Sequence, residues 1–391
     1  MPKFSAKASA QASPQASPRF SPRVSIGLPC RNAAATLPAA LDSLLAQTLA
    51  DFEVIAVDDG SDDGSEKYGS GGGTWGVLCD YARRDPRIRP LRQPHQGVAL
   101  AWNAAMAACR APYIARMDAD DLCLPRRLEL QAALLDADQS LGLVSGLVRF
   151  GGDRNAHQGY AVHVDWLNTL TTPEDISRNR FVDSPVANPS VMFRRELVGE
   201  LGGARPNTGA AAGASPFPED YEQWLRWLDA GVRMGKVAEE ILIWNDPPTR
   251  LSRAAGEYSV EAFARVRAHY LWRWLERHNP SHPSGHPRVW VWGAGRVSRQ
   301  RLAPLMDLGL VVEAYIDIDA RKIGQSVHGV PVLPREAIPP YAPPSSSSLS
   351  SSGPAAPFIL VNVGSRGARE EITAWLGARG YQMGVGALAV G

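Results

Sequence analysis

The densest chemistry in the chain is the run Asp118-Ala119-Asp120-Asp121. At a strand end, residues i and i+2 lie on the same side, so Asp118 and Asp120 can face one site. The small Ala119 between them leaves room for a ligand. Two carboxylates in that relation suit a hard divalent cation, which takes oxygen ligands and keeps open positions for phosphate. A cation held there would bridge a diphosphate and neutralise the charge that develops as it leaves. Asp58-Asp59 stands before Gly60-Ser61, and Glu219-Asp220 opens a helical stretch. Plainer readings exist for all three: a solvated acidic turn, an acid initiating a turn before glycine, and first-turn acids favoured by the helix dipole.

Position separates these readings. Residues 24–28 predict a short apolar strand stopped by Pro29, and Thr36 predicts a helix cap with Pro38 in the first turn. Leu37, Leu41, Leu44 and Leu45 then share one helical face. Strands are predicted at 53–57 and 113–117, ending at Asp58 and Asp118. Strand and helix in this rhythm give an α/β fold with helices on the faces of a mostly parallel sheet. Ligands of such sheets sit beyond the carboxyl ends of the strands, where both acidic clusters fall. Leu124-Pro125 turns the chain toward a helix beginning near Arg126, whose start Asp121 would favour.

Composition bounds what those groups serve. The 41 basic residues nearly balance 40 acidic ones, so no global field favours nucleic acid or an anionic membrane. No apolar run approaches the ~18 residues that a membrane span needs. Four cysteines without CxxC or zinc-type spacing read as buried thiols in a reducing compartment. Four regions are expected. Residues 1–23 are a basic, acid-free, Ser/Ala/Pro-rich tail predicted to be disordered. A main domain follows at 24–277, then a Pro/His/Ser linker at 278–288 and a small Rossmann-like unit at 289–391. Low-complexity stretches at 69–73, 208–215 and near 340–357 read as loop expansions. A cytoplasmic location is expected, or an organelle if the tail is a transit peptide. His278, His282 and His286 cannot line up on a helix past Pro280 and Pro283, so they read as linker residues.

Taken together and in order, residues 24–63, 97–103, 115–131 (ARMDADDLCLPRRLELQ), 188–193 (NPSVMF) and 219–225 (EDYEQWL) resemble the family 2 glycosyltransferases, over roughly residues 23–270. The resemblance implies a GT-A fold, a nucleotide-sugar donor and a divalent metal, Mn²⁺ or Mg²⁺. It makes Asp58 the contact to the nucleobase, joined in donor binding by Pro29, Arg31, Asn32, Asp118 and Arg250. It places Asp120 as direct metal ligand, with Asp118 on metal or ribose. Asp220 becomes the general base of a single displacement that inverts the anomeric carbon. A helix N-terminus is expected to keep that carboxylate ionised but weaken it as a base. Arg253 is a further candidate for the diphosphate, and Asn188 and Ser190 for the acceptor side. The acceptor is a glycan, a lipid-linked group or a protein. Asn188 stands where many relatives carry His before Pro-Ser.

The Rossmann-like unit supports an alternative function. Gly293-Ala294-Gly295 follows a strand predicted at 289–292, a helix covers 303–308, and a strand at 311–316 leads to Asp317, near where a ribose-binding acid would lie. Gly364-Ser365-Arg366-Gly367 makes a second glycine turn after a strand at 358–363. A nucleotide sensor or NAD(P)-dependent oxidoreductase would work through these glycines. Ser298 at the third glycine position weakens the fingerprint. A nucleotidyltransferase is disfavoured because the loop after the first strand reads Pro29-Cys30-Arg31-Asn32, with no glycine-rich basic signature.

Overall fold

The computed structural model describes residues 21–64, 72–207, 217–247, 258–279, 286–341, 356–364 and 367–391. In chain order the elements are β1 (Val24–Cys30), α1 (Leu37–Leu45), β2 (Phe52–Asp59), α2 (Gly73–Arg84), β3 (Ile88–Gln93), α3 (Val98–Ala108) and β4 (Tyr113–Arg116). Next come β5 (Leu122–Cys123), α4 (Arg127–Ala137), β6 (Leu141–Phe150), α5 (Gln158–Thr169), α6 (Pro173–Asn179), β7 (Met192–Arg194) and α7 (Glu196–Leu201). Then follow α8 (Glu219–Asp229), β8 (Arg233–Trp244), α9 (Val260–His278), β9 (Arg288–Trp292), α10 (Arg296–Asp307) and β10 (Val311–Asp317). The chain closes with β11 (Ser326–Val327), β12 (Val330–Pro334), β13 (Ile359–Val361), α11 (Ala368–Gly377) and β14 (Ala387–Ala389).

The first eight strands form one mixed sheet in the order β3-β2-β1-β4-β7-β6-β8-β5. β1, β2, β3 and β4 run parallel, whereas β7 is antiparallel to both its neighbours. This is the mixed, helix-flanked α/β sheet expected. Residues of β2 alternate between its faces, Val54 and Ala56 with α1, α2 and α4, and Ile55 and Val57 with α3 and α8. The second face is rich in aromatics: Phe193 stands edge-on to Trp102 and Trp227, with ring centres 6.2 and 5.0 Å away.

β1 does not stop at Pro29 but runs through it to Cys30, paired with β2 up to Asp58. Its pairing with β4 ends at Gly27, so the proline's missing N–H falls where that neighbour has already left. Thr36 occupies the cap position of α1 without capping it, and its hydroxyl donates to the Ala33 carbonyl instead.

A second sheet has the order β11-β12-β10-β9-β13-β14, with β10, β9, β13 and β14 parallel. α9 reaches His278, which stacks on Trp274 at 4.3 Å, and β9 begins at Arg288. One hydrophobic cluster joins Phe181, Tyr221 and Leu225 of the first part, Leu271, Trp274 and Leu275 of α9, Val289 and Leu360 of the second sheet, and Leu302 of α10. The Gly391 N–H donates to the Phe181 carbonyl, tying the C-terminus to the first part. The tail up to residue 20, His282 and most of the expected loop expansions lie outside the described residues.

Candidate functional site

The strand order reverses at β1. β2 and β3 follow on one side of it, while β4 returns on the other, leaving a crevice at the carboxyl ends of β1, β2 and β4. Asp58 pairs with Cys30 in register, and Arg116 with Gly27, so the ends of β2 and β4 flank the end of β1. Asp58 is fully buried. Its Oδ1 accepts from the Ser61 N–H at 3.0 Å, and Arg92 Nε stands 3.1 Å from Oδ2.

The loops beside Asp58 are tightly built. The Asn32 amide donates to Asp62 and accepts from its N–H, while the Asn32 N–H donates to Ser61 Oγ. Asn32 takes a left-handed backbone, φ 52°, to do so. Its amide thus joins the first loop to the second. Asp63 accepts from Thr74 N, Thr74 Oγ1 and Ala34 N. Asp59 holds the 93–97 loop by accepting from Gln93 Nε2, the Gln96 and Gly97 N–H groups, and His95 Nδ1. Burial pushes the Asp59 carboxyl up, but these four bonds outweigh it and hold the group below its ordinary range. Gly60 is obligatory here: at φ 68°, a Cβ would stand 2.5 Å from the His95 nitrogen.

Arg116, the last residue of β4, is the centre of the other half. It is 3% exposed, with its guanidinium 5.1 Å from the Trp102 ring centre. Nε donates to Asp118 Oδ1 at 2.9 Å. The Asn188 amide, oriented by this network, presents its oxygen 3.2 Å from Nε and Nη2. Burial opposes the charge on Arg116, and attraction from Asp118, Glu219 and Asp220 more than restores it. The guanidinium is therefore bonded to the Asp118 loop and sits in the field of the two acids that open α8. Below it, buried Arg127 donates to the Arg116 carbonyl at 2.6 Å and to Cys123 Sγ.

Asp121 does not serve the start of α4. It is buried, and its carboxylate accepts from the Asn245 N–H at 2.8 Å, while the Asn245 amide donates to the Asp120 carbonyl. The end of β8 is thereby fastened to the acidic loop. Ser190 is fully buried, bonded to the Ala187 carbonyl and Ser145 Oγ, and so does not line an open acceptor face.

Glu219 and Asp220 form a close pair at the first turn of α8. Glu219 is buried and accepts from the Tyr258 hydroxyl at 2.6 Å. Burial, then the charge of Asp220, push Glu219 up to about 7. Asp220 accepts from the Tyr221 N–H and is likewise raised, by burial first and by Asp118 as well, with Arg116 working the other way. Burial is the largest cause, so the Asp220 carboxyl holds its proton more tightly than an ordinary carboxylate.

Among the described residues, no three His, Cys, Asp or Glu side chains stand together as a cation site. The fit to a divalent ion rests on Asp118 and Asp120, both partly exposed at the loop. Two carboxylates with the remaining positions left to phosphate and water is how Mg²⁺-type ions are commonly held. Pro29 lies within β1 and Arg31 is exposed just beyond it. Arg250 and Arg253 lie outside the described residues. Arg116, Asp63 and His95 were not singled out from sequence. Arg116 could have been, since a lone cation inside the apolar run Tyr113-Ile114-Ala115 must have partners.

In the second sheet, Gly293 (φ 123°) meets the Asn362 carbonyl so closely that a Cβ would lie 2.4 Å from its oxygen. Asp317 ends β10 as expected, but both its oxygens are engaged. Oδ2 accepts from the Ala294 N–H and Lys322 Nζ, and Oδ1 from the Asp319 N–H. These bonds tie the acid to the glycine turn and to the 317–322 loop.

A mixed α/β sheet with carboxylates gathered at the carboxyl ends of its strands is the frame of the candidate site. Residues 25–202 match the family model described as glycosyl transferase family 2. An uncharacterised glycosyltransferase of Nostoc sp. is 27% identical over 204 residues, 51% of this chain and 54% of that protein. The putative glycosyltransferase EpsE of Bacillus subtilis is 26% identical over 59% of this chain and 75% of its own length. The O-antigen biosynthesis glycosyltransferase WbnJ of Escherichia coli is 26% identical over 58% and 83%. The chain thus spans about half the length of the Nostoc relative. Among solved structures, the mannosyltransferase PcManGT of Pyrobaculum calidifontis with GDP-Man and Mn²⁺ aligns at TM-score 0.44 and 22% identity, over 69% of this chain and 68% of that one. Among the described residues, no helix is long and apolar enough to cross a membrane.

Proposed function

We propose that the chain is an inverting, divalent-metal-dependent glycosyltransferase that moves a sugar from a nucleoside diphosphate to an acceptor hydroxyl. The observation that carries this reading is the junction at Arg116, which brings the Asp118 loop and the Asp220 end of α8 into one electrostatic unit. In this reading Asp58 accepts from the N–H edge of the base. Asp120, with Asp118, holds the metal, which when bound supplies charge neutralisation at the departing diphosphate. Asp220 takes the acceptor proton as the acceptor oxygen bonds to the anomeric carbon and the bond to the diphosphate oxygen breaks. Pro29, Arg31 and Arg250 are assigned to the donor side, and the four free cysteines fit a cytoplasmic location.

The test is a screen of UDP-, GDP- and dTDP-sugars with Mn²⁺ or Mg²⁺, by binding and by donor hydrolysis. Asp120→Ala should abolish metal-dependent binding. Asp220→Asn should keep binding and lose about 10²–10⁴-fold in turnover, the usual contribution of a general base. Absence of binding with every donor and metal refutes the reading; unchanged turnover in Asp220→Asn reassigns the base.

A further inference from the structure

A groove of about 660 Å³ lies between the two sheets, walled by α6, the C-terminal ends of α8 and α9, the start of β8 and the segment before β14. Its size is that of a small-molecule site, typically about 300–1,000 Å³. It does not belong to the site at Asp220: that residue opens α8, whereas Asp229 at the groove closes it, on the order of 15 Å further along the helix at ~1.5 Å per residue.

The charge in this groove is lopsided. Arg178, Arg180, Arg233 and Arg277 face two acids, Glu174 and Asp229. Both acids are already paired, Glu174 with Arg233, and Asp229 with Arg277 and Arg273. Arg180 is left over. It is 8% exposed, and among the described residues no carboxylate lies within ion-pair distance of it. Of its five N–H donors, one makes a long bond of 3.4 Å to Ser177 Oγ, and its guanidinium lies over the Phe181 ring. Burial lowers its pKa to about 10, with Asp229 at longer range working against that and Arg277 adding to it. A buried guanidinium without an anion is costly unless a ligand completes it. Arg178, exposed beside it, makes no ion pair among the described residues. The other wall is apolar: Trp274, with His278 stacked on it, and Val385, which is 53% exposed.

We infer that this groove is a second ligand site, taking a phosphate-bearing small molecule of about nucleotide size, with Arg180 and Arg178 on the phosphate and the Trp274–His278 wall against its body. A guanidinium fork matches phosphate oxygens in pairs, which an ammonium does not. The inference does not depend on the transfer reaction, because no residue assigned to that reaction lines the groove.

The test titrates the full-length chain in EDTA with inorganic pyrophosphate, with AMP and with citrate, by calorimetry, in wild type, Arg178→Ala, Arg180→Gln and Asp120→Ala. Pyrophosphate or AMP should bind, with affinity falling at least about tenfold in Arg180→Gln and several-fold in Arg178→Ala, as expected for lost charge-assisted hydrogen bonds. Asp120→Ala should leave this binding unchanged. Arg178 is exposed, so its truncation carries the test if Arg180→Gln does not fold. The inference is overturned if neither phosphate compound binds, if citrate alone binds, or if phosphate binding survives both arginine changes. Loss in Asp120→Ala with no effect of the arginines would also overturn it, by moving the phosphate to the other site.

Discussion

At the scale of single residues, Arg116 and the Glu219–Asp220 pair decide how the site behaves. Arg116 is a buried cation with three carboxylates in its field. Arg116→Ala should cost about 3–5 kcal/mol in stability, the usual penalty for leaving buried charge without its partner, and denaturant melts check this. Arg116→Lys keeps the charge but loses the fork that meets Asp118 and Asn188 together, so it should fold and lose turnover more than donor affinity. In the proposed mechanism Asp220 must be ionised to accept a proton, and its carboxyl is raised, so kcat/KM should climb with pH and level off above the ordinary carboxylate range. The stability consequence runs in the opposite direction. Glu219, raised to about 7 in the folded protein, stays protonated there after its unfolded counterpart has ionised near 4.5. The folded state then binds more protons than the unfolded one, so this stability is present at low pH and is lost as pH rises toward 7. Glu219→Gln should therefore lose less stability than wild type between pH 5 and pH 8, read by urea melts at each pH.

At the scale of elements, the loops that follow β1, β2 and β3 are locked to one another by side-chain hydrogen bonds. Asp59 gathers the 93–97 loop, Asn32 and Asp62 join the first two loops, and Asp63 reaches the start of α2. Gly60 permits the close approach of His95, so Gly60→Ala should destabilise by on the order of 1–3 kcal/mol. If Asp58 holds the donor base, the same change should also weaken nucleotide binding, and one thermal melt with and without nucleotide separates the two effects. Much of this level was legible. Strand–helix alternation and the acids at strand ends carry a strong local signal, because period and turn chemistry are set by neighbours in the chain. The partners of Asp59 and Asp121 were not legible, since Gly97 and Asn245 lie far along the chain and only the sheet brings them close. Pro29 misled for a related reason: whether a proline ends a strand depends on which neighbour is still paired at that row.

At the scale of the whole molecule, the two sheets share a hydrophobic cluster rather than a tether. Leu271, Trp274 and Leu275 lose cover if the second sheet is removed. With burial of each large apolar side chain worth about 1.5–3 kcal/mol, a chain ending at residue 287 should melt well below the full chain and scatter light as it does. The groove between the sheets belongs to this scale too, being built from four helices and strands that no sequence window contains.

The chain's own order of residues was enough to determine an α/β fold, the acids at its strand ends, the helix opened by Glu219 and Asp220, and the match of residues 25–202 to a transferase family. Those features depend on short-range period, on turn residues and on motifs in sequence order. Tertiary structure alone decided that Arg116 bonds the acidic loop within the field of Glu219 and Asp220, that burial raises Asp220, and that Asp317 bonds the glycine turn. It alone left Arg180 buried with no carboxylate in contact among the described residues. Charge–charge and desolvation energies depend on distance and on the surrounding dielectric, and both are fixed only when distant segments pack.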